Sequence, residues 1–204
     1  MILNHADLET AILNSQHCQR NWDLNKEIPQ ADLDLIITAA TQCPSKQNIA
    51  HYKIHAITNR DIIEKIHENT VGFQVVHTNP QVLANLLLVL EHKPVIEHKE
   101  SFAFGKEKLR KDKDVLFLRD AHMSVGIAVG YVYIVSNMLG YSTGCCACFD
   151  DVAVRKLLGL DNEILLMMGV GFNSPELDRR IHHTNKDFIF PSIKKEVIQV
   201  NYIS

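Results

Sequence analysis

A chain of 204 residues is long enough to bury most of its apolar surface in one domain, and 46% hydrophobic against 22% charged residues is the balance of a folded protein. A formal net charge of −3 leaves no positive excess for neutralising phosphates, which argues against nucleic acid as a partner. Five cysteines, three of them crowded at Cys145, Cys146 and Cys148, do not form a secreted disulfide framework. The mixed polar stretch Met1–Arg20 has no secretory pattern, so the expected location is cytoplasmic.

A first helix is expected over Asp7–Gln16. Pro29 suits the first position of a second helix, because its missing N–H would go unpaired there anyway. Leu33, Ile36, Ile37 and Ala40 mark the apolar face of that helix, and Pro44 ends it. Tyr52–Thr58 reads as a strand, and Asn59 as the cap of a helix whose Ile62, Ile63 and Ile66 face inward. The unbroken apolar run Asn85–Glu91 is the pattern of a strand covered on both faces. Glu97–Asp120 is Lys-rich and carries Phe102 and Phe104, a solvated surface with two aromatic anchors.

Arg119–Leu139 is the long helix, with Gly126, Ala128 and Gly130 on it. Glycine inside a helix costs roughly 1 kcal/mol relative to alanine, so the pair calls for close approach of another backbone. Ser142–Cys146 is a strand, and Asp150 or Asp151 caps a helix reaching Leu158. Ile164–Val170 is a buried strand and Val197–Ile203 a terminal one. No linker or repeat divides the chain, so residues 1–204 form one domain, an α+β or α/β sheet sandwiched by helices.

Met123–Phe149 contains no charged side chain, a length that raises a membrane span. Ser124, Ser136, Asn137, Ser142 and Thr143 interrupt it, no basic cluster flanks it, and Gly140 ends the helix early. A buried or interface helix is the better reading, and no membrane partner is expected.

The usual nucleotide signatures are missing: there is no Gly-x-Gly-x-x-Gly and no Gly-x-x-x-x-Gly-Lys-Ser/Thr. Cys145, Cys146 and Cys148 with His182 and His183 lack the spacing of a zinc site, and adjacent cysteines on a strand point to opposite faces. Small buried residues are the simpler reading, and no metal is expected. His51 and His55 have no carboxylate or third imidazole beside them in sequence, and read as surface or interface residues.

Three ordered segments carry a more specific message. Cys43-Pro-Ser-Lys-Gln-Asn48 resembles the Ala-Pro-Ser-x-x-Asn-x-Gln-Pro-Trp stretch of the flavin-dependent nitroreductase family, with Tyr52 at the Trp position. His17-Cys-Gln-Arg-Asn-Trp-Asp23 resembles that family's Arg-Arg-Ser-x-Arg-x-Phe-Asp segment, keeping Arg20, an aromatic at Trp22, and Asp23. Gly126–Asp150 is similar to its Gly-Ile-Ala-x-Gly helix, Leu-Gly turn (Leu139-Gly140), small-residue strand and Phe-Asp (Phe149-Asp150). Leu157 to Gly159 and Gly169–Gly171 continue the likeness, which spans nearly the whole chain.

The resemblance implies a nitroreductase-like α/β/α sandwich with a mostly antiparallel sheet, assembled as an intertwined homodimer with FMN at the subunit interface. Its implied activity is ping-pong oxidoreduction, in which NAD(P)H reduces the flavin and a small acceptor such as a nitroaromatic or quinone reoxidises it. The flavin carries the hydride, so no protein acid or base is assigned. Arg20 is the implied charge near flavin N1 and the C2 carbonyl, favouring the anionic reduced form. His17 and Cys18 fall where the family has ribityl or phosphate contacts. Gln16 stands where an arginine commonly meets the phosphate, and Arg179 and Arg180 are implied to compensate.

Pro44, Ser45, Lys46 and Asn48 are implied to come from the partner subunit, and Asn79 to reach the pyrimidine edge. Ala147 and Cys148 would offer backbone N–H groups near N5, and Phe102 or Phe104 would roof the substrate pocket. Two alternatives stay open. One is a same-fold flavin enzyme with other chemistry, a reductive dehalogenase or a flavin-fragmenting enzyme. The other is a non-enzymatic flavin- or metal-binding dimer.

Overall fold

The computed structural model describes residues 4–72, 78–94 and 113–203, without the side chains of residues 47 and 113–117. Phe102 and Phe104 lie outside the described residues. Strands β1 (Tyr52–Ile57), β2 (Leu86–His92), β3 (Ser142–Cys146) and β4 (Ile164–Gly171) form one antiparallel sheet in the order β1-β2-β4-β3.

Side chains alternate across a strand, so the apolar run on β2 serves two cores. Leu87 and Val89 join Ile63, Ile66, Val82, Val154 and Met167 on one face. Leu86, Leu88 and Leu90 join Ile36, Ala40, Val125, Val129, Val132 and Met168 on the other. Helices α3 (Arg60–Glu68) and α5 (Asp151–Leu158) cover the first face, and α2 (Gln30–Thr41) and α4 (Lys113–Met138) cover the second. Helix α1 (His5–Ser15) packs against α4. The molecule is an α+β protein layered as an α/β/α sandwich. Each fully buried Leu or Ile adds roughly 1.5–3 kcal/mol of transfer free energy to the layers.

The caps follow the side chains. Asn59 accepts the Ile62 N–H ahead of α3, and Asp150 accepts that of Ala153 ahead of α5. Pro29 is the N-cap of α2 rather than its first helical residue, and the helix stops at Thr41, before Pro44. The long helix begins at Lys113, earlier than the periodicity predicts. No helix among the described residues is long and apolar enough to cross a membrane.

Two expectations need correcting. Val197–Ile203 is no strand: it lies in the open, with Val197 87% and Tyr202 95% exposed. An extended segment becomes a strand only beside a partner strand, and none of this chain's strands takes it. His51 is buried, its Nε2 3.2 Å from the Lys46 carbonyl, while His55 meets a carboxylate that the sequence separates from it, Glu91, at 2.9 Å.

Gly126 and Gly130 face outward on α4, where a Cβ would meet nothing among the described residues. Met123, Ile127, Tyr131 and Met138 are exposed on the same helix. The close approach that the glycine pair calls for is not made among the described residues.

Candidate functional site

The segment after α1 runs to the outer edge of the sheet. The Gln19 N–H donates to the Thr143 carbonyl at 2.9 Å, holding this segment against β3. A cleft of about 340 Å³ opens there, lined by His17, Gln19, Asn137, Ser142, Asn173 and Arg179 among others. Gln16 does not line it, because its side-chain amide turns back to the Leu13 carbonyl at 2.8 Å and closes its own helix.

Cys18 reaches along β3, with the Cys145 N–H and the Gln81 side chain directed at its sulfur. Burial pushes its thiol up, against the pull of Arg20 and Arg179. Burial likewise pushes the Cys145 thiol up to about 11 and the Cys146 thiol up to about 12, so both stay protonated at neutral pH. None of these three is an activated thiolate.

Arg20 is half-buried, and burial, opposed by Cys18 and reinforced by the nearby Arg179, lowers its pKa. Its Nε is buried without a partner, and its only hydrogen bond is a long one from Nη1 to the Cys18 carbonyl, 3.4 Å. Among the described residues neither Arg20 nor Arg179 makes an ion pair, since Asp178, next in sequence, is taken by Arg180 at 3.0 Å. Two neighbouring guanidiniums with no carboxylate paired to them among the described residues repel each other and favour an anion. Arg179 lines the cleft; Arg180 is held in its ion pair and does not.

The far end of β3 holds Ala147 and Cys148, both exposed. Asn79 supports that end: its side-chain amide donates to the carbonyls of Val71 (2.8 Å) and Cys148 (3.5 Å), leaving Asn79 itself buried. From Ser142 to Cys148 the chain covers roughly 20 Å at strand rise. That suits an elongated ligand better than a single ion.

Pro44, Ser45, Lys46 and Asn48 lie elsewhere. Their loop leads into β1, the opposite edge of the sheet, about 14 Å from β3 at three strand spacings. The Lys46 N–H bonds Ser124 Oγ at 3.2 Å, thirteen residues up α4 from the cleft-lining Asn137, or roughly 20 Å along the helix. Ser45 and Asn48 border a second cavity, of about 420 Å³, with Cys43, Tyr52 and Ile54. One chain thus does not bring its two sets of candidate residues together.

Sequence reasoning missed Asn21, Gln81 and Phe190, and weighed His182 only as a metal ligand. Asn21 is buried and its amide ties the segment to the Asp178 carbonyl (3.0 Å) and to that of Ile181. Of the four, only Asn21 falls inside a quoted motif. The described residues contain no cluster of three or more His, Cys, Asp or Glu that could hold a metal.

The profile of the nitroreductase family matches residues 13–172. This chain belongs to the nitroreductase family. The match includes the cleft segment, the Pro44–Asn48 loop and the whole sheet, and stops short of Arg179. A protein of Bacillus subtilis (strain 168) described as an NAD(P)H nitroreductase, YfkO, is 32% identical over 72 residues, 34% of this chain. That stretch spans only 33% of the relative's length. The nitroreductase-family fold recurs in solved structures at low identity. A Staphylococcus epidermidis ATCC 12228 protein described as an NAD(P)H:FMN oxidoreductase superposes with a TM-score of 0.66 at 17% identity, covering 87% of this chain and 92% of that one. A nitroreductase from Exiguobacterium sibiricum 255-15, solved in complex with FMN, gives 0.67 at 12% identity over 96% and 95%.

Proposed function

We propose that this member of the nitroreductase family is an FMN-dependent oxidoreductase that takes electrons from NAD(P)H and passes them to a small acceptor, a nitroaromatic or a quinone. The observation that carries the reading is the pair Arg20 and Arg179, two guanidiniums with no carboxylate paired to them among the described residues, beside a polar cleft. An anionic cofactor supplies the missing charge. Arg179 and His17 would hold its phosphate, Cys18 would face the ribityl chain, and Arg20 would bring its charge to the pyrimidine edge. Ala147 and Cys148 present backbone at the far end of β3, with Asn79 bracing them. When bound, FMN supplies the two-electron hydride chemistry. The protein's share is to orient donor and acceptor in turn in one pocket, which gives ping-pong kinetics.

The functional unit is a homodimer. Pro44, Ser45, Lys46 and Asn48 sit too far from Arg20 to serve the same cofactor within one chain, so a second copy contributes them. Three features await that copy: the outward glycines on the charge-free part of α4 from Met123 onward, its exposed Met123, Ile127 and Tyr131, and the open apolar segment Val197–Ile203. Isologous packing would bury all three.

Purified protein reconstituted with FMN is expected to be yellow, with about one flavin per chain, and to lose its visible absorbance on anaerobic addition of NADH or NADPH. A nitroaromatic or quinone then restores the colour. Protein that stays colourless after reconstitution overturns this reading. Clean bleaching with no turnover of any acceptor keeps the flavin site and moves the chemistry elsewhere.

A further inference from the structure

Arg20 is held by its face rather than by its edge. The Phe190 ring lies against the guanidinium, 4.4 Å from its carbon to the ring centroid. His182 stacks on Phe190 at 5.8 Å between centroids and 11° between planes, and Phe188 meets Phe190 edge-on at 5.0 Å. The backbone locks this arrangement: the Phe190 N–H donates to the Arg180 carbonyl at 2.8 Å, and the His182 N–H to the Phe188 carbonyl at 2.9 Å. His182 is itself fixed, since its Nδ1 accepts the N–H groups of Thr184 and Asn185 and its Nε2 lies 3.0 Å from the Thr78 carbonyl. Two donors on Nδ1 and an acceptor at Nε2 define a neutral ring with its proton on Nε2.

An aromatic face attracts a cation without consuming its hydrogen bonds. A carboxylate in the same place would take two N–H groups and cancel the charge. Phe190 does neither: Arg20 Nε has no partner, and no acid among the described residues pairs with the group. We propose that Phe190, backed by His182, is a positioning residue for Arg20, fixing the guanidinium plane while leaving its full charge and its donors for the cofactor. This rests on the flavin reading above. Because a positive charge near the pyrimidine favours the reduced, negatively charged cofactor over the oxidised one, the two redox forms depend on Phe190 unequally.

The test compares affinities for oxidised and reduced FMN, and the midpoint potential of the bound flavin, in the wild type, Phe190→Leu and Phe190→Tyr. Phe190→Leu is expected to weaken reduced FMN about threefold to thirtyfold more than oxidised FMN, the range of a cation–π contact, and to move the potential negative. Phe190→Tyr keeps the wild-type values. Replacing Phe190 with mono-, di- and trifluorophenylalanine preserves its shape while draining the ring face, and moves the potential negative in steps. A merely structural role weakens both redox forms alike and leaves the potential in place. Wild-type potentials across the fluorinated series overturn the proposal alone, whereas wild-type protein that binds no FMN overturns the flavin reading with it.

Discussion

Glu91 sits on β2 with its side chain 2% exposed, an expensive place for a carboxylate. Burial alone would raise its pKa. The Asn162 side chain and N–H, His55 at 2.9 Å and Lys53 at 3.6 Å outweigh burial and hold it down to about 2, from an ordinary 4.5. A folded-state value below the unfolded one means that the unfolded chain binds more protons between the two. The contribution is complete above 4.5 and is lost as pH falls towards 2. Urea denaturation from pH 6 to pH 2 should show wild-type stability declining more steeply than that of Glu91→Gln below pH 4.5. Parallel slopes would refute this account. The histidine half of the network was invisible in sequence, because His55 and Glu91 become neighbours only through the β1–β2 register, which pairs Lys53 with Glu91.

Among the elements, β4 and the turn Pro80–Leu83 meet closely at Gly169. A methyl group on Gly169 would run into the Gln81 carbonyl oxygen and lie 2.8 Å from the Ala84 Cβ. Backbone at that distance cannot give way cheaply, so Gly169→Ala is expected to cost about 3 kcal/mol or more, at the upper end of overpacking. Thermal unfolding checks it; a loss under 1 kcal/mol would show that the turn can move. Each strand of the sheet could be placed within a residue or two, because apolar runs, Asn and Asp caps and small residues are local signals. Cys18, Arg20 and the undivided pair Arg179 and Arg180 could be named as candidates from motif resemblance. The stack of Phe190 and His182 on Arg20 could not, since it joins residues 170 positions apart across a segment with no periodicity.

For the whole molecule, the exposed face of α4 decides whether one chain suffices. Gly130 is expected to lie where two copies cross, so Gly130→Glu should yield a monomer by analytical ultracentrifugation and lose FMN with it. The monomer should keep its helical signal, because nothing among the described residues touches that position. A variant that stays dimeric, or a monomer that retains flavin, would remove the interface from this helix.

The placement of Arg20 and Asn48 at opposite edges of one sheet has a genetic corollary on the dimeric reading. Each copy owns half of two reaction centres, so lesions in different halves need not add. A chain carrying Arg20→Ala and another carrying Asn48→Ala, each inactive with its own kind, would together rebuild one centre with both residues intact and one lacking both. Mixed pairs would then work at about half strength where either parent alone fails. Two defective alleles would rescue one another.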